Sequence, residues 1–563
     1  MSKKPARKPA SRKARPARRA GTAPAPVPSV RPVWDVRRFG AAGDGVAKDT
    51  RAIQAAIDAC FAAGGGMVYL PPGTYLTGTV VLKSNVTLHI EAGATLLGST
   101  DLADFGKLPG EAADESESTL VGSKDPADFR PPHLVFADNA ENVTLEGRGR
   151  IDGQGQHFWY YKGWDPDFKA ERQGWGEIVG YWWACRERPA QMVRFNRCRG
   201  LSIRDLTIEN APHWTVHLLA CDEVVVRGVT IHNPPHGGNT DGIDIEACRD
   251  VTVSDCIIST GDDAICLKND DIDGLKRPSR NIAVTNCVLT TTCNAFKIGT
   301  GSRSDFENVT FSNSAIWNPP GYPGMRAISG IAIEMVDGAT LRGVTVSNIT
   351  MQNVRAPVFI RLGNCGRGQA SPVPGKLREV LIENLRAEGA SLPCIIAGIP
   401  GHDVEGVSLS NVRITAEGGG TADMAAREIP EREANYPEAN MFGPLPSWGL
   451  FCRHVRDLRL RNVVLAPAAA DGRPAIICDD VKEFDVDGLK LPATGCAAPA
   501  VRLSDVQGAF LRGCRAAAGT GTYLAVEGEK SSGVTLAAND LSAAAEPVRT
   551  GAGAPDGAVT KAG

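Results

Sequence analysis

Aromatic residues make up only 6% of the 563 residues, and no unbroken apolar run approaches the roughly 18 residues that a membrane-crossing helix needs. A spanning helix is therefore not expected. The 15 cysteines include no pair at the Cys-x-x-Cys spacing of a metal site, and an odd number cannot all pair as disulfides. A basic body is missing as well. Within residues 1–32 there are ten bases (Lys3, Lys4, Arg7, Lys8, Arg12, Lys13, Arg15, Arg18, Arg19 and Arg31) and no acid. Taking these ten from the total of 61 leaves 51 bases against 64 acids, a net charge of −13, where the whole chain carries −3. Such a body is not expected to bind nucleic acid, and nothing in the chain points to a membrane partner. Residues 1–33, rich in Pro and Ala, read as a disordered solvated arm, with an interaction arm or a misassigned start as the alternatives. A secretory signal would place about 7–15 apolar residues after the basic ones. The run Ala20-Gly21-Thr22-Ala23-Pro24-Ala25-Pro26 is not of that kind, so the sequence points inside the cell.

The chain does contain repetition. A two-strand phrase of alternating apolar residues recurs, clearest at Leu201–Ile208, Val224–Ile231, Val251–Ile258 and Ile282–Leu289, with starts 23, 27 and 31 residues apart. Later copies begin near Val309, Leu341, Val380, Val407, Leu458 and Phe484. Alternation sends every second side chain inward, and stacked coils then merge those side chains into one continuous core. Cys198, Cys221 and Cys248 each precede a repeated strand, while Cys256 and Cys287 occupy equivalent points, so stacked free thiols are expected rather than disulfides. Ahead of the repeats, Asp49 and Thr50 are expected to cap a helix with Ile53, Ile57, Cys60 and Phe61 at helical spacing, ended by Gly64-Gly65-Gly66. That helix would cover the open edge of the first coil. The expected organisation is one all-β solenoid over residues 34–545 and a flexible tail over 546–563.

Two short runs carry chemistry: Asn239-Thr240-Asp241-Gly242-Ile243-Asp244 and Gly261-Asp262-Asp263-Ala264-Ile265. With a coil of twenty to thirty residues, Asp241 and Asp262 fall on neighbouring rungs. Clustered aspartates push one another's pKa values apart, which is what acid and base catalysis on a glycosidic bond needs. Ca²⁺ binding or ordinary turn formation are the competing readings of the same residues.

The opening segment, Asp35-Val36-Arg37-Arg38-Phe39-Gly40-Ala41-Ala42-Gly43-Asp44-Gly45 together with Pro71-Pro72-Gly73-Thr74-Tyr75, resembles that of the pectate-lyase-like right-handed parallel β-helix superfamily. Within it, Asn239-Thr240-Asp241 and Gly261-Asp262-Asp263 resemble the two hallmark motifs of glycoside hydrolase family 28, the polygalacturonase family. The resemblance spans roughly residues 34 to 540. It implies a single-stranded right-handed parallel β-helix and an inverting hydrolase that uses neither metal nor cofactor and takes a pectic or related acidic poly- or oligosaccharide. It also implies Asp262 as general acid and Asp241 with Asp263 as the pair that activates water. Asp244 is expected to be structural or supporting. Relatives that degrade polymers are exported, which stands against the intracellular reading.

The chain departs from the family pattern at three places. A Gly-His-Gly motif corresponds to Cys293-Asn294-Ala295, so Asn294 replaces the histidine. An Arg-Ile-Lys motif corresponds to Ala332-Ile333-Glu334, and the expected tyrosine position falls at Asn364. Glu334 would repel a uronate carboxylate. Replacement cations are Lys268, Lys297, Arg303, Arg326 and Arg361, with Arg suited to bidentate carboxylate binding. Asn239, Trp214 and His217 complete the expected substrate contacts. Five of the nine tryptophans lie between Trp159 and Trp183, either as a sugar-stacking insertion that would favour exo action or as a satellite core. A polysaccharide lyase and a sugar-binding protein without turnover are the alternatives to a hydrolase.

Overall fold

The computed structural model describes residues 33–105, 133–163, 181–185, 188–271, 274–319, 326–493, 497–551 and 553–562. The expected basic arm lies outside these residues, except for its last residue. So does most of the tryptophan-rich insertion, of which Trp159–Gly163 and Tyr181–Ala184 form an antiparallel pair.

A right-handed parallel β-helix occupies the remainder. Among the described residues, all strands apart from that antiparallel pair join one sheet of 38 strands, and every strand pairing in it is parallel. The first ladder passes through Leu201, Val224, Val251, Ile282, Val309, Val344 and Val380 in unbroken register. These seven positions are buried, as are those two residues further on, so the alternation in sequence becomes a stacked interior. Burying each such side chain is worth about 1.5–3 kcal/mol. Phe296 and Phe311 lie parallel inside it, their centroids 4.5 Å apart.

The corner between the first and second ladders is held by asparagines. Asn348, Asn384, Asn411 and Asn462 each donate Nδ2 to Oδ1 of the asparagine one coil earlier, starting at Asn313, at 2.9 to 3.1 Å. All five have positive φ, between 49 and 57°, a conformation in which asparagine is among the best tolerated side chains.

The helix Thr50–Ala62 packs on the first strands through buried Ile53, Ile57 and Cys60. Two details differ from expectation. The Asp49 carboxylate accepts from the N–H groups of Ala42 and Gly43 at 2.7 and 3.0 Å, which ties down the preceding turn and leaves the helix end uncapped by that side chain. Phe61, at 46% exposure, points outward, and the Lys83 ammonium lies over its ring. The expected flexible tail also contains ladder strands, because Glu546–Thr550 and Val559–Ala562 pair in parallel with Thr522–Glu527 and Ser532–Ala537.

Fourteen cysteines are free among the described residues. Cys221 and Cys248 point their thiols at the carbonyls of Phe195 and Leu218, one coil earlier, so each thiol satisfies a corner carbonyl as well as filling space.

Candidate active site

The two aspartate runs sit at one corner of the helix, immediately before the third-ladder strands Ile243–Glu246 and Ile265–Asn269. Thr240, fully buried, joins them: its hydroxyl donates to Gly237 O at 2.8 Å and accepts from Gly261 N at 3.0 Å. Asn233 fixes the same corner, donating to Thr215 Oγ1 at 2.7 Å and Thr240 O at 3.3 Å. The coils approach so closely that a Cβ on Gly242 would lie 2.3 Å from Ala264 O, and one on Gly261 would lie 2.3 Å from Gly237 O. Only glycine fits there. Gly242 N donates to Asp263 O at 2.8 Å, which places Asp241 beside Asp263 on the neighbouring rung, with Asp262 one residue before it.

The environments of the three carboxyl groups differ. Lys268 Nζ lies 3.2 Å from Asp241 Oδ2 and 2.8 Å from Asp244 Oδ1. Lys297 Nζ lies 3.1 Å from Asp263 Oδ2, and Asn294 donates its backbone and side-chain N–H groups to Asp263 Oδ1 at 3.1 and 2.9 Å. Asp262 forms no ion pair among the described residues; its Oδ1 accepts from Asp263 N at 2.8 Å. Its carbonyl is held by the hydroxyls of Thr260 and Thr291. Burial, then the charges of Asp241 and Asp263, push the Asp262 carboxyl well above the ordinary carboxylate range. Burial works in the same direction on Asp263, but Lys297, Lys268 and Asn294 outweigh it and hold that group below its ordinary value. Asp241 is raised by burial, with Lys268 opposing. Asp244, completely buried, is raised further by burial despite the same lysine.

Lys268 is held in its charged form by Asp241 and Asp244 against the effect of burial, and its Nζ stands 3.3 Å from the centre of the Trp214 ring. Trp214 meets His217 edge to face, and His217 Nε2 meets Glu246 Oε2 at 3.0 Å. Both aromatic residues are brought to the cluster, but they are buried beneath it and offer no open stacking face. Asn239 stays at the corner, where its Oδ1 accepts from Arg188 Nη2 at 3.2 Å.

Lys297 gathers a second group of acids, with Glu334 Oε2 at 3.5 Å and Glu438 Oε1 at 3.6 Å. Asn294 Nδ2 also donates to Glu438 Oε2 at 3.2 Å and thus bridges Asp263 and Glu438. Burial pushes Glu334 well above its ordinary value and Glu438 upward in the same sense. Glu438 and Tyr436 arrive on the loop over residues 418–446. Tyr436, 44% exposed, has Lys297 Nζ 5.6 Å from its ring centre and Arg367 Cζ at 5.7 Å. Nothing in either residue's local sequence signals this role.

Three expected cations are absent from the cluster. Arg361 is register partner to Glu334, but its Nη1 donates to Gly398 O and its Nη2 to Glu431 O, both at 2.7 Å. It anchors the loop that carries Glu438. Arg326 pairs with Glu417 at 2.7 Å and donates to the carbonyls of Asn353 and Gly389. Arg303 likewise donates to the carbonyls of Arg367 and Asp270. At the position expected for a tyrosine, Asn364 N donates to Glu433 O, so this residue too supports the loop.

One group could be considered for a metal: ligand atoms of Asp262, Asp263 and Cys293 lie within 4.8 Å of one another. Burial and the neighbouring carboxylates keep the Cys293 thiol protonated, and Asp263 is already engaged by Lys297 and Asn294. A hard cation such as Ca²⁺ takes about six to eight oxygen ligands, and this set does not fit that requirement.

Comparison with known proteins gives a consistent result. The profile described as "Glycosyl hydrolases family 28" matches residues 77–434. The chain is 26% identical over 393 residues to a "Probable polygalacturonase" of Vitis vinifera, covering 67% of this chain and 73% of that one. It is 25% identical over 396 residues to an "Exo-poly-alpha-D-galacturonosidase" of Dickeya chrysanthemi, covering 64% and 62% of the two chains. A crystal structure of an exopolygalacturonase from Thermotoga maritima shares the fold with a TM-score of 0.59 at 22% identity, over 77% of this chain and 91% of that one.

Proposed function

The chain belongs to glycoside hydrolase family 28, and from that membership we propose that it hydrolyses O-glycosidic bonds of a pectic poly- or oligosaccharide with inversion. One observation carries the assignment of roles: among the described residues Asp262 forms no ion pair, while Asp241 and Asp263 beside it are each bound to a lysine, so burial and its two neighbours raise the Asp262 carboxyl.

An inverting hydrolase needs a protonated carboxyl at the leaving oxygen and a carboxylate holding water on the opposite face of the sugar. Asp262 supplies the first. Asp263, held below its ordinary value by Lys297 and Asn294, stays ionised and accepts the proton of the attacking water, with Asp241 accepting that water's second hydrogen bond. Lys268 and Lys297 offset the charge that would otherwise prevent two further carboxylates from lying beside the acid. The lyase and binding-protein readings are not favoured, since family membership supports a hydrolase.

The test is product analysis on homogalacturonan, rhamnogalacturonan and their oligosaccharides with the wild type and Asp262→Asn. Saturated sugars released by the wild type alone support the reading. An unsaturated product absorbing in the ultraviolet would replace it with a lyase.

A further inference from the structure

Around the aspartates stand the carboxyl groups of Asp241, Asp244, Asp262, Asp263, Glu334 and Glu438, against the ammonium groups of Lys268 and Lys297. Both lysines are already shared, Lys268 between two carboxylates and an indole ring, Lys297 among three carboxylates. Arg367, whose Cζ lies 5.7 Å from the Tyr436 ring centre, is committed to Asp337: Nη2 lies 2.6 Å from Oδ2, Nε lies 3.2 Å from both oxygens, and the backbone N–H donates as well. Among the described residues, then, every cation lining this part of the site is matched by acids. The groups nearest the surface are Tyr436 and Glu438, whereas Lys297 and Glu334 lie buried behind them. Glu438 is one asparagine away from Asp263, so a sugar whose water is held by Asp263 meets Glu438 and the tyrosine ring.

We infer that Glu438, backed by Glu334 and Lys297, is a specificity-determining residue that selects a sugar without a free carboxylate at the ring beside Asp263. That ring carries an ester, a hydroxymethyl or a methyl group where a free uronate carries its acid. A free carboxylate at this position would be desolvated against Glu438 with no uncommitted cation among the described residues to receive it. Glu438 also accepts hydrogen bonds, so it orients a ring hydroxyl of the accepted sugar while repelling the acid of the rejected one. The inference rests on the hydrolase reading for its choice of sugar ligands, but it is tested by binding and does not need turnover.

The probes are three matched α-1,4-linked trisaccharides: a galacturonide with free acids, its methyl ester, and the galactose analogue. Binding of each to full-length Asp262→Asn is measured by calorimetry. The ester or the galactose analogue is expected to bind at least tenfold more tightly than the acid, and which of the two does so separates an esterified uronate from a neutral sugar. Adding Glu438→Gln is expected to reduce that preference to threefold or less. Because Glu438 is partly exposed, raising salt from 50 to 500 mM is expected to narrow the preference in the parent and have little effect in the Gln variant. Equal or tighter binding of the acid, binding of none of the three, or a preference unchanged by Glu438→Gln would overturn the inference. Turnover by the wild type on the polymers is scored separately and judges the hydrolase reading alone.

Discussion

Lys297 Nζ lies 3.1 Å from Asp263 Oδ2 but forms no ion pair with Asp262, the adjacent residue in the chain. Neighbouring carboxyl groups at one corner are driven in opposite directions: burial and the charges of Asp241 and Asp263 raise Asp262, while Lys297, Lys268 and Asn294 overcome burial and lower Asp263.

Asp262→Asn removes the proton donor but keeps the shape of the side chain and a hydrogen-bond acceptor for Asp263 N. Turnover is expected to fall by about 10²–10⁴-fold, the usual contribution of general acid catalysis. Thermal unfolding is expected to stay at or slightly above the wild-type temperature, because a buried carboxyl crowded by two others is replaced by a neutral group. Steady-state rates and differential scanning calorimetry read the two effects.

The pH profile of kcat/KM is expected to be bell-shaped. As pH falls, Asp263 protonates last among the three because Lys297 and Asn294 depress its pKa, so the acidic limb lies low. As pH rises, Asp262 loses its proton only above the ordinary carboxylate range, so the alkaline limb lies high. Lys297→Met removes the charge that depresses Asp263, and the acidic limb is expected to move to higher pH. Breaking this buried pair is also expected to cost about 3–5 kcal/mol of stability. An acidic limb that stays in place would remove Asp263 from the role of base.

Gly242→Ala places a methyl group 2.3 Å from Ala264 O, a backbone atom that cannot move without displacing the rung that carries Asp262 and Asp263. A loss of about 1–3 kcal/mol is expected. Activity is expected to fall more than that of a variant equally destabilised elsewhere. Denaturant titration and rates measured on the same preparation make the comparison.

Asn384→Ala removes two rungs of the asparagine ladder and leaves a Cβ-bearing residue at φ +54° without its amide contacts. The expected cost is about 1–2 kcal/mol. Asn384→Gly, which tolerates the conformation, is expected to lose less. Both variants are expected to keep wild-type kcat, since the ladder lies on another corner, and a urea melt with a rate assay checks each.

The fold and the aspartates were legible in sequence because both are local. The alternation at Val251–Ile258 and the runs at Asp241 and Asp262 each declare themselves within a few residues, and the coil converts that local pattern into stacking. Lys268 and Lys297 were legible as cations on strands adjoining the aspartates, although the direction in which they point depends on register and was not. Arg361 was read as a cation on a following coil, yet its guanidinium is captured by carbonyls of a loop whose path no strand pattern reveals. Tyr436 and Glu438 lie on that loop and were not legible. The strand Glu546–Thr550 was missed because its residues are largely exposed and show little alternation.

The loop that supplies Glu438 reaches back to Asn294, 144 residues earlier. During synthesis from the N-terminus, the three aspartates and both lysines emerge and can stack before the loop exists. Between those two moments the residues proposed for the chemistry are present and the residue proposed for selectivity is not. The same separation confines the residue proposed for selectivity to a segment, residues 418–446, that lies outside the rungs carrying Asp241, Asp262 and Asp263.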